Sequence, residues 1–333
     1  MVPPHNRGAT ARWWRRTLAP LGVPTSIIAD DPVLLDSACA GYDEWRPSDP
    51  AAIPEIEIRL RLSDAAAGTA QADIRVDGPR LTLTGPAIEG AADARTGRAR
   101  CSVPADLRDD VAALMTRVID PILLFLLARL GRPPIHAAGI MLGDMAVLLA
   151  GSSGAGKSTL ALAAAAQGMA VLSDDIVHVE LEPRLRVWGF SRPIHVLRGE
   201  APDGNHPVRD RAGKRKAAVA LPPVLAARRQ ADGAILVVLD RGDRLALDPI
   251  SAETALATLM RLDPGFDLLP HQSAAAFGAL AAAGAWRLRL TADPRAAITL
   301  LRTELVRDNS RQMFDSRREQ PGGPTAPRDG KAM

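Results

Sequence analysis

The stretch Met145-Ala-Val-Leu-Leu-Ala150, followed by Gly151-Ser-Ser-Gly-Ala-Gly156-Lys157-Ser158, decides the fold of this 333-residue chain. The second part fills the pattern G-x-x-x-x-G-K-[ST] and leads into an alanine-rich segment at residues 157–167. An apolar strand, a glycine-rich loop and a helix in this order form a phosphate-binding loop, because the glycines let backbone N–H groups turn towards phosphate oxygens. The helix points its positive end at the same place. The pattern therefore predicts an α/β fold built around a phosphate-binding loop.

Two residues of this loop carry side-chain chemistry. The ammonium group of Lys157 balances the charge of the β- and γ-phosphates, and the hydroxyl of Ser158 is a hard oxygen ligand suited to Mg²⁺. We therefore predict ATP and Mg²⁺ as the ligands of the loop. The predicted nucleotide-binding residues are Gly151, Ser152, Ser153, Gly154, Ala155, Gly156, Lys157, Ser158 and Thr159.

A pair of adjacent carboxylates follows the predicted helix. Asp174 and Asp175 follow the apolar segment 169–172 after one residue, Ser173, and this segment predicts a short buried strand whose carboxyl end lies near the phosphate loop. One carboxylate can hold Mg²⁺, and the other can accept the proton of an incoming hydroxyl, because two close carboxylates raise one another's pKa. As residues of a surface turn, the same pair would need no function.

His136 lies at the start of the predicted strand that precedes the loop. A turn at Gly143-Asp144, between strands at residues 136–142 and 145–150, would bring His136 back to the level of Gly151. A lone histidine is more often structural than catalytic, so the residues alone leave both interpretations open.

The composition of the chain limits the kinds of ligand and location that we expect for it. Hydrophobic residues make up 47% of the chain and the formal net charge is +3, which favours an anionic ligand but is too small to imply nucleic acid. Cys39 and Cys101 lie far apart, so neither a disulfide framework nor a zinc site is expected. The apolar segment 122–128 is shorter than the roughly 20 residues that cross a bilayer, and no secretory signal is recognisable, which predicts a cytoplasmic protein without membrane contact.

Three regions follow from the pattern along the chain. Residues 1–132 are predicted to form a small α+β accessory domain, with antiparallel strands at 55–62, 73–76, 80–84 and 98–103 and a helical segment over 104–130. Residues 133–308 are predicted to form the α/β catalytic domain. Residues 309–333 contain few apolar side chains, and they are predicted to be a disordered tail. Later strands are predicted at 176–181, 185–190, 234–240 and 286–290, and later helices at 251–262, 272–283 and 294–306.

Basic residues crowd a stretch downstream that contains Pro and Gly. They could steer an acidic acceptor or clamp phosphate, or the stretch could be a solvated flexible loop. Arg192 and Arg198 are the better candidates, because they adjoin an apolar segment, whereas His178 and His195 are expected to be structural. The basic residues are Arg192, Arg198, Arg209, Arg211, Lys214, Arg215 and Lys216.

Over residues 135–181 the chain resembles the catalytic domain of HPr kinase/phosphorylase and of its smaller relatives, which include kinases of lasso-peptide gene clusters. The resemblance rests on a histidine before the loop, the loop itself, and an Asp-Asp pair soon after its helix. The resemblance implies that Asp174 is the base, that His136 assists it, and that Ser158 and Asp175 bind Mg²⁺. It also implies a serine acceptor in a protein or precursor peptide, and a possible homo-oligomer.

One segment departs from that family. Where its members have Glu-[Ile/Leu]-Arg-Gly-[Leu/Val]-Gly, this chain has His195-Val-Leu-Arg-Gly-Glu200. The departure favours a kinase-only relative over an enzyme that acts on HPr.

Other classes of protein built on the same loop remain open. A P-loop ATPase would use one acidic residue to position water, although its usual carboxylate lies farther along the chain than Asp174 and Asp175 do. A scaffold that only senses nucleotide would not need the acidic pair. A kinase of a small metabolite fits the same residues as a serine kinase.

Overall fold

The computed structural model describes residues 12–66, 68, 72–190, 192–211, 214–262 and 270–318 of the chain. These residues form a mixed α/β fold, as predicted, with strands arranged in four sheets. The strands are β1 (Trp14–Leu18), β2 (Thr25–Ala29), β3 (Ile56–Ser63), β4 (Asp73–Asp77), β5 (Arg80–Gly85), β6 (Ile88–Asp93), β7 (Arg98–Pro104), β8 (Pro134–Ile135), β9 (Ala137–Leu142), β10 (Met145–Ala150), β11 (Val171–Ser173), β12 (Val177–Glu180), β13 (Arg186–Gly189), β14 (Ile194–Leu197), β15 (Val208–Arg211), β16 (Lys214–Val219), β17 (Gln230–Ala231), β18 (Ala234–Arg241), β19 (Ala246–Ile250) and β20 (Ala285–Leu290). The α-helices are α1 (Pro32–Cys39), α2 (Val111–Leu114), α3 (Asp120–Arg129), α4 (Lys157–Ala166), α5 (Pro223–Ala226), α6 (Ala252–Leu262), α7 (Pro270–Ala282) and α8 (Pro294–Arg318).

The first seven strands form one sheet in the order β1-β2-β3-β7-β6-β5-β4. A turn at Asp77-Gly78-Pro79 joins β4 and β5, which pair antiparallel. The sheet is mixed rather than antiparallel, because β2 pairs parallel with β3 and β3 pairs parallel with β7. Parallel neighbours need a crossover, which α1 and the β4–β6 meander provide.

One face of this sheet is covered by the apolar helical stretch that begins at Val111. Here α2 continues through a π-helical turn, Met115–Ile119, directly into α3, so the predicted helix changes its winding at this turn. By length and composition alone, Val111–Arg129 could cross a membrane, and 56% of it is buried in the protein. Leu114 and Leu126 are fully buried in the core of the sheet, so this core accounts for the apolar face of the stretch.

The phosphate loop belongs to a second sheet, in the order β11-β9-β10-β18-β20-β19. β9 and β10 form the predicted hairpin, and β18 pairs parallel with β10. β11 pairs antiparallel with β9, so β10, α4 and β11 form a βαβ crossover with one antiparallel strand between its two parallel strands. Parallel strands end at the same edge of a sheet, which places the residues after β10, β11 and β18 together.

Two small sheets flank this edge, in the orders β17-β13-β12-β8 and β14-β16-β15. The second contains most of the basic stretch, because β14 and β15 both pair antiparallel with β16. The interpretation of this stretch as a flexible loop is therefore replaced by a three-stranded sheet, although the side chains of residues 209–211 and 214 lie outside the described ones.

Aromatic side chains from both halves of the chain meet in the core of the seven-stranded sheet. Trp188 and Phe190 pack with Tyr42 and Trp45, with ring centroids 5.5 Å apart for Tyr42 and Phe190 and 5.4 Å apart for Trp45 and Phe190. We call these four residues the aromatic seam. A Cβ on Gly22, where φ is +77°, would lie 2.8 Å from Cη2 of Trp188, so the backbone lies directly against the indole. Trp188 and Phe190, which lie beyond the predicted domain boundary at residue 132, thus belong to the core of the first part.

At the carboxyl end, α8 continues to Arg318 and crosses the predicted boundary of the tail at residue 309. A helix therefore replaces the first part of the predicted disordered tail. Residues 319–333, the remainder of that prediction, lie outside the described residues.

Candidate active site

The backbone of the phosphate loop requires glycine at three positions. Gly154 and Gly156 have φ of +84° and +107°, in the left-handed region that side chains disfavour. A Cβ on Gly151 would lie 2.9 Å from Cβ of Ala155 and 3.2 Å from Cβ of Leu239. The glycines of the motif thus allow a tight turn that ends at the first residue of α4, where backbone N–H groups lack helical partners.

Lys157 lies inside this turn, with a 6% exposed residue surface. Its Nζ donates hydrogen bonds to the carbonyl oxygens of Gly151 and Ser152, at 2.6 and 3.2 Å. The ammonium group is therefore held over the centre of the loop by the backbone of the loop itself. This is the position from which it can reach a phosphate oxygen bound there.

The two carboxylates of the acidic pair are in different surroundings. Asp174 is buried, and its Oδ2 accepts a hydrogen bond from the backbone N of His195 at 2.8 Å. Asp175 faces the cavity beside the phosphate loop, and its Oδ1 lies 3.4 Å from Nδ1 of His136. The hairpin explains the latter contact, because Ala137 pairs with Ala150 and so places His136 beside the start of the loop.

A cavity of about 160 Å³ unites the predicted residues. His136, Lys157, Ser158, Thr159 and Asp175 all contribute to its lining. Asp174 does not line the cavity, although it follows β11 as Asp175 does. The predicted site residues therefore lie together, with Asp174 beneath the surface that the others form.

Six residues that were not among the predicted catalytic, nucleotide-binding or metal-binding residues also line the cavity: His195, Val196, Leu197, Glu200, Lys216 and Arg241. Thr159 Oγ1 donates a hydrogen bond to Glu200 Oε2 at 2.8 Å, which joins the first turn of α4 to the segment after β14.

Arg241 ends β18, and its Nη2 lies 4.0 Å from where a Cβ would stand on Gly156. Arg241 lies there because β18 pairs parallel with β10, and parallel strands end at the same edge of a sheet.

The two arginines favoured from the sequence do not contribute to the cavity lining. Arg192 pairs with Asp120 at 3.1 Å and lies over the ring of Phe190, at the aromatic seam. Arg198 is exposed in a short 3₁₀ turn after β14. Among the basic residues of this stretch, the cavity lining includes Lys216.

His178 is structural, as expected. It is 1% exposed, its Nδ1 lies 3.0 Å from the carbonyl oxygen of Arg132, and its ring meets Phe190 edge to face. Burial lowers the pKa of His178 to about 4, against the weaker opposing effect of the Arg132 carbonyl. The imidazole is thus neutral at neutral pH and donates its Nδ1 proton to that carbonyl.

The donor set fits a nucleotide with Mg²⁺. Among the described residues, no three or more His, Cys, Asp or Glu side chains group as a metal site made of protein ligands alone. Mg²⁺ that bridges phosphates takes most of its ligands from phosphate and water and needs one or two protein oxygens. Ser158 and Asp175 line the same cavity and offer such oxygens.

The similarity of this chain to a solved structure is low. No protein-family model matches the sequence, and no curated protein matches it. Among solved structures, the chain is similar to an Hpr(Ser) kinase/phosphatase from Coxiella burnetii, with 14% sequence identity, a TM-score of 0.30, and coverage of 54% of this chain and 98% of that chain. At this TM-score the similarity carries no argument about activity.

Proposed function

We propose that this chain is an ATP- and Mg²⁺-dependent kinase that phosphorylates a serine hydroxyl of a protein or peptide. One observation carries the proposal: the phosphate loop and the His136–Asp175 pair line a single cavity. A phosphate-binding loop alone would also suit a nucleotide sensor. A proton acceptor beside that loop is what transfer to a hydroxyl needs in addition.

The loop residues account for nucleotide binding. Backbone N–H groups between Gly151 and Gly156 would bind phosphate oxygens, and Lys157 would exchange its bonds to the loop carbonyls for one to phosphate. Ser158 would hold Mg²⁺ through its hydroxyl. Bound ATP with Mg²⁺ supplies the γ-phosphoryl group and neutralises its charge. Arg241, at the rim of the cavity, adds a second cation for the same oxygens.

The pair at the cavity wall accounts for proton transfer. As the bond between the γ-phosphorus and the bridging oxygen breaks and a bond to the serine oxygen forms, the serine proton passes to the His136–Asp175 pair. A base must come within hydrogen-bond reach of the proton that it takes. Asp175 lines the cavity and Asp174 does not, so we assign to Asp175 the role of base that was predicted for Asp174, and leave Mg²⁺ to Ser158 and the phosphate oxygens.

Asp174 then acts as a positioning residue. Its carboxylate holds the backbone of His195, the residue whose segment leads to Glu200 at the opposite wall of the cavity. The contact joins the end of β11 to β14 and so fixes the width of the cavity.

Two substitutions separate these roles. Asparagine keeps an oxygen that can accept the bond from the backbone of His195, so Asp174→Asn should retain most of its activity. Asp175→Asn should lower kcat about 10²- to 10⁴-fold, the usual range for losing a general base. Single-turnover phosphorylation measures both, and ATP affinity serves as the control. If Asp174→Asn loses activity and Asp175→Asn retains it, Asp174 is the base, as predicted in the sequence analysis.

The function itself is tested with the full chain, ATP and Mg²⁺, offering HPr or a serine-containing precursor peptide in separate reactions. Acceptor mass and ADP release are followed together. A mass increase of one phosphate on the peptide, absent in Lys157→Met, supports the serine kinase. Phosphorylation of HPr would instead identify a kinase of that carrier. ADP release at the same rate with and without acceptor, and no phosphorylated acceptor, would favour an ATPase.

A small-metabolite kinase is the second candidate. The observation that favours it is the modest cavity volume of about 160 Å³, which suits a small acceptor as well as a serine side chain. ADP release that depends on a small hydroxyl compound, with neither polypeptide modified, would select this alternative. Cytoplasmic location and homo-oligomer formation stay predictions.

A further inference from the structure

We infer that the open face of the seven-stranded sheet binds an acidic, extended peptide segment of a partner protein. This face is opposite the one covered by α2 and α3. A groove of about 640 Å³ lies on it, and Arg59, Arg61 and Arg100 line the groove with Trp13. The inference goes beyond the proposed kinase activity and does not depend on it.

The register of the sheet gathers arginines in one row. Residues that pair across neighbouring strands project to the same face, so one row runs from Arg15 through Arg59 and Arg100 to Arg75. The row contains no carboxylate. Its other members are Ile28, Ala91 and Thr82. Ala91 and Thr82 are short, and they form a low floor between Arg100 and Arg75.

The two rows beside this one carry carboxylates as well as arginines, so the excess of positive charge is confined to the central row. Glu57 lies 2.9 Å from Arg59 and 3.8 Å from both Arg15 and Arg98, so one carboxylate is shared by three guanidinium groups. Its bond to Arg59 uses Nε, and the two terminal nitrogens lie farther out on the side chain. The groove lining itself contains three arginines against the single carboxylate of Glu89. The groove is therefore positively charged.

Asp73, Asp77 and Asp93 project to the same face but do not line the groove, and Asp30 lies beside it. Asp30 lies 4.0 Å from Arg61, which is 80% exposed in its side chain, so this pair is loose. Exposed guanidinium groups of this kind keep donors for a carboxylate, and arginine can bind a carboxylate through two parallel hydrogen bonds.

An extended acidic peptide matches the spacing of these groups. Arg59 and Arg61 alternate along β3, and Arg100 pairs with Arg59 on the neighbouring strand. Alternate residues of an extended chain are about 7 Å apart, and neighbouring strands are about 5 Å apart. Carboxylates at alternate positions of an extended peptide therefore have the same repeat as the arginines. The hydroxyls of Thr84 and Ser102 can donate to the same carboxylates.

Charge also decides between possible occupants. Residues 1–11 of this chain contain Arg7 and no acidic residue, and residues 319–333 contain two acidic and two basic residues, so neither terminus complements the groove. A nucleic acid would bring phosphates past Glu57 and Glu89, whose carboxylates interrupt the basic surface. A peptide can place neutral residues at those points.

Binding is measured by fluorescence anisotropy of a fluorescein-labelled peptide in which Asp alternates with Ser or Gly, using the full chain without nucleotide. The combined substitution Arg59→Gln, Arg61→Gln and Arg100→Gln should weaken binding about tenfold or more, because several weak exposed contacts act together. Raising the salt concentration should weaken it as well. The matched control replaces Arg261, Arg295 and Arg302, exposed residues of α6 and α8, and changes the net charge equally.

A charge reversal gives a second readout, independent of the triple variant. Arg100→Glu should lose the acidic peptide and gain binding of the same peptide with Lys in place of Asp. No binding of the acidic peptide by the parent chain overturns the inference, as does an equal loss in the control variant. Tighter binding of a labelled oligothymidylate, lost in the same triple variant, overturns it in favour of a nucleic acid. Because no nucleotide is present, these outcomes leave the proposed kinase activity to its own test.

Discussion

The phosphate cavity and the aromatic seam both join residues that are distant in sequence, but they are held together differently. In the cavity the backbone sets the shape, through Gly151, Gly154 and Gly156, and the side chains are polar groups that line open space. In the seam the shape comes from packed rings, such as Trp188 against Gly22 and Phe190 against Tyr42. We therefore expect substitutions in the cavity to lower activity with little change in the free energy of unfolding. Substitutions in the seam should lower the free energy of unfolding.

The largest expected effect is on the seam side of this comparison. Trp188→Ala removes a nearly buried indole and should reduce the free energy of unfolding by about 3–5 kcal/mol. It also removes the hydrogen bond from Nε1 to Glu180 Oε2, at 2.8 Å, while Arg132 still pairs with that carboxylate. Urea denaturation measures the change, with Trp188→Phe as the control that keeps most of the packed ring. A loss below about 1 kcal/mol in the alanine variant would show that the seam does not hold the two halves together.

On the cavity side, Lys157→Met keeps the length of the side chain and removes its charge. We expect kcat to fall about 10²- to 10³-fold, the cost typical of losing one group that stabilises charge in a transition state. Stability should stay within about 1 kcal/mol, because no apolar packing is lost. Phosphate transfer and urea denaturation are measured on the same preparation. A large loss of stability would contradict the separation between cavity and seam.

A third test uses pH to weaken the seam alone. His178 contacts Phe190, and its folded-state pKa of about 4 lies below the ordinary value of 6.5. Between these values the unfolded chain binds a proton that the folded chain does not, so stability is unaffected above about pH 6.5 and falls as the pH drops. The slope contributed by one such group is at most about 1.4 kcal/mol per pH unit.

Denaturation at pH values from 7.5 to 4.5, with His178→Gln as the comparison, isolates this contribution. The parent chain should lose more stability than the variant across this range. Parallel pH profiles of the two proteins would mean that His178 titrates normally in the folded state.

The smallest expected effect is at the wall of the cavity. Thr159→Val removes the hydrogen bond to Glu200 without changing the shape of the side chain much, and both groups are largely accessible. A stability change below about 1 kcal/mol is expected. Thr159→Ser, which keeps the hydroxyl, is the matched control. A larger change would show that Glu200 braces the first turn of α4.

Local patterns in the sequence were sufficient to predict the loop and its nearest companions. The glycines of the motif, the turn at Gly143-Asp144 that returns His136 to the loop, and the strand before Asp174 each depend on a few consecutive residues. The side of the cavity formed by Glu200 and Arg241 depends instead on which strands pair, and no short pattern states that β14 or β18 will lie beside the loop. The sequence could not distinguish the roles of Asp174 and Asp175, because the difference in their burial comes from tertiary packing.

The aromatic seam was not predicted, because composition does not show which aromatic rings pack together. A strand was predicted at residues 185–190, and Trp188 lies in β13 while Phe190 follows its end; the burial of both rings depends on Tyr42 and Trp45. The mixed pairing of β2, β3 and β7 was missed because alternation along a strand reports which face is buried and not the direction of its neighbours.

The hairpin of β9 and β10 gives the protein a place that tolerates change in length. His136 and the phosphate loop lie at the open end of a ladder of six residue pairs, from Leu142–Met145 to Ala137–Ala150, while the turn at Gly143-Asp144 closes the far end about 17 Å away. Extra residues at that turn lengthen only the tip and leave the pairing that sets His136 against Gly151. The same number of residues added inside either strand would shift that register. We therefore expect that a reporter domain or affinity tag inserted at residue 143 would leave His136 in register with the loop.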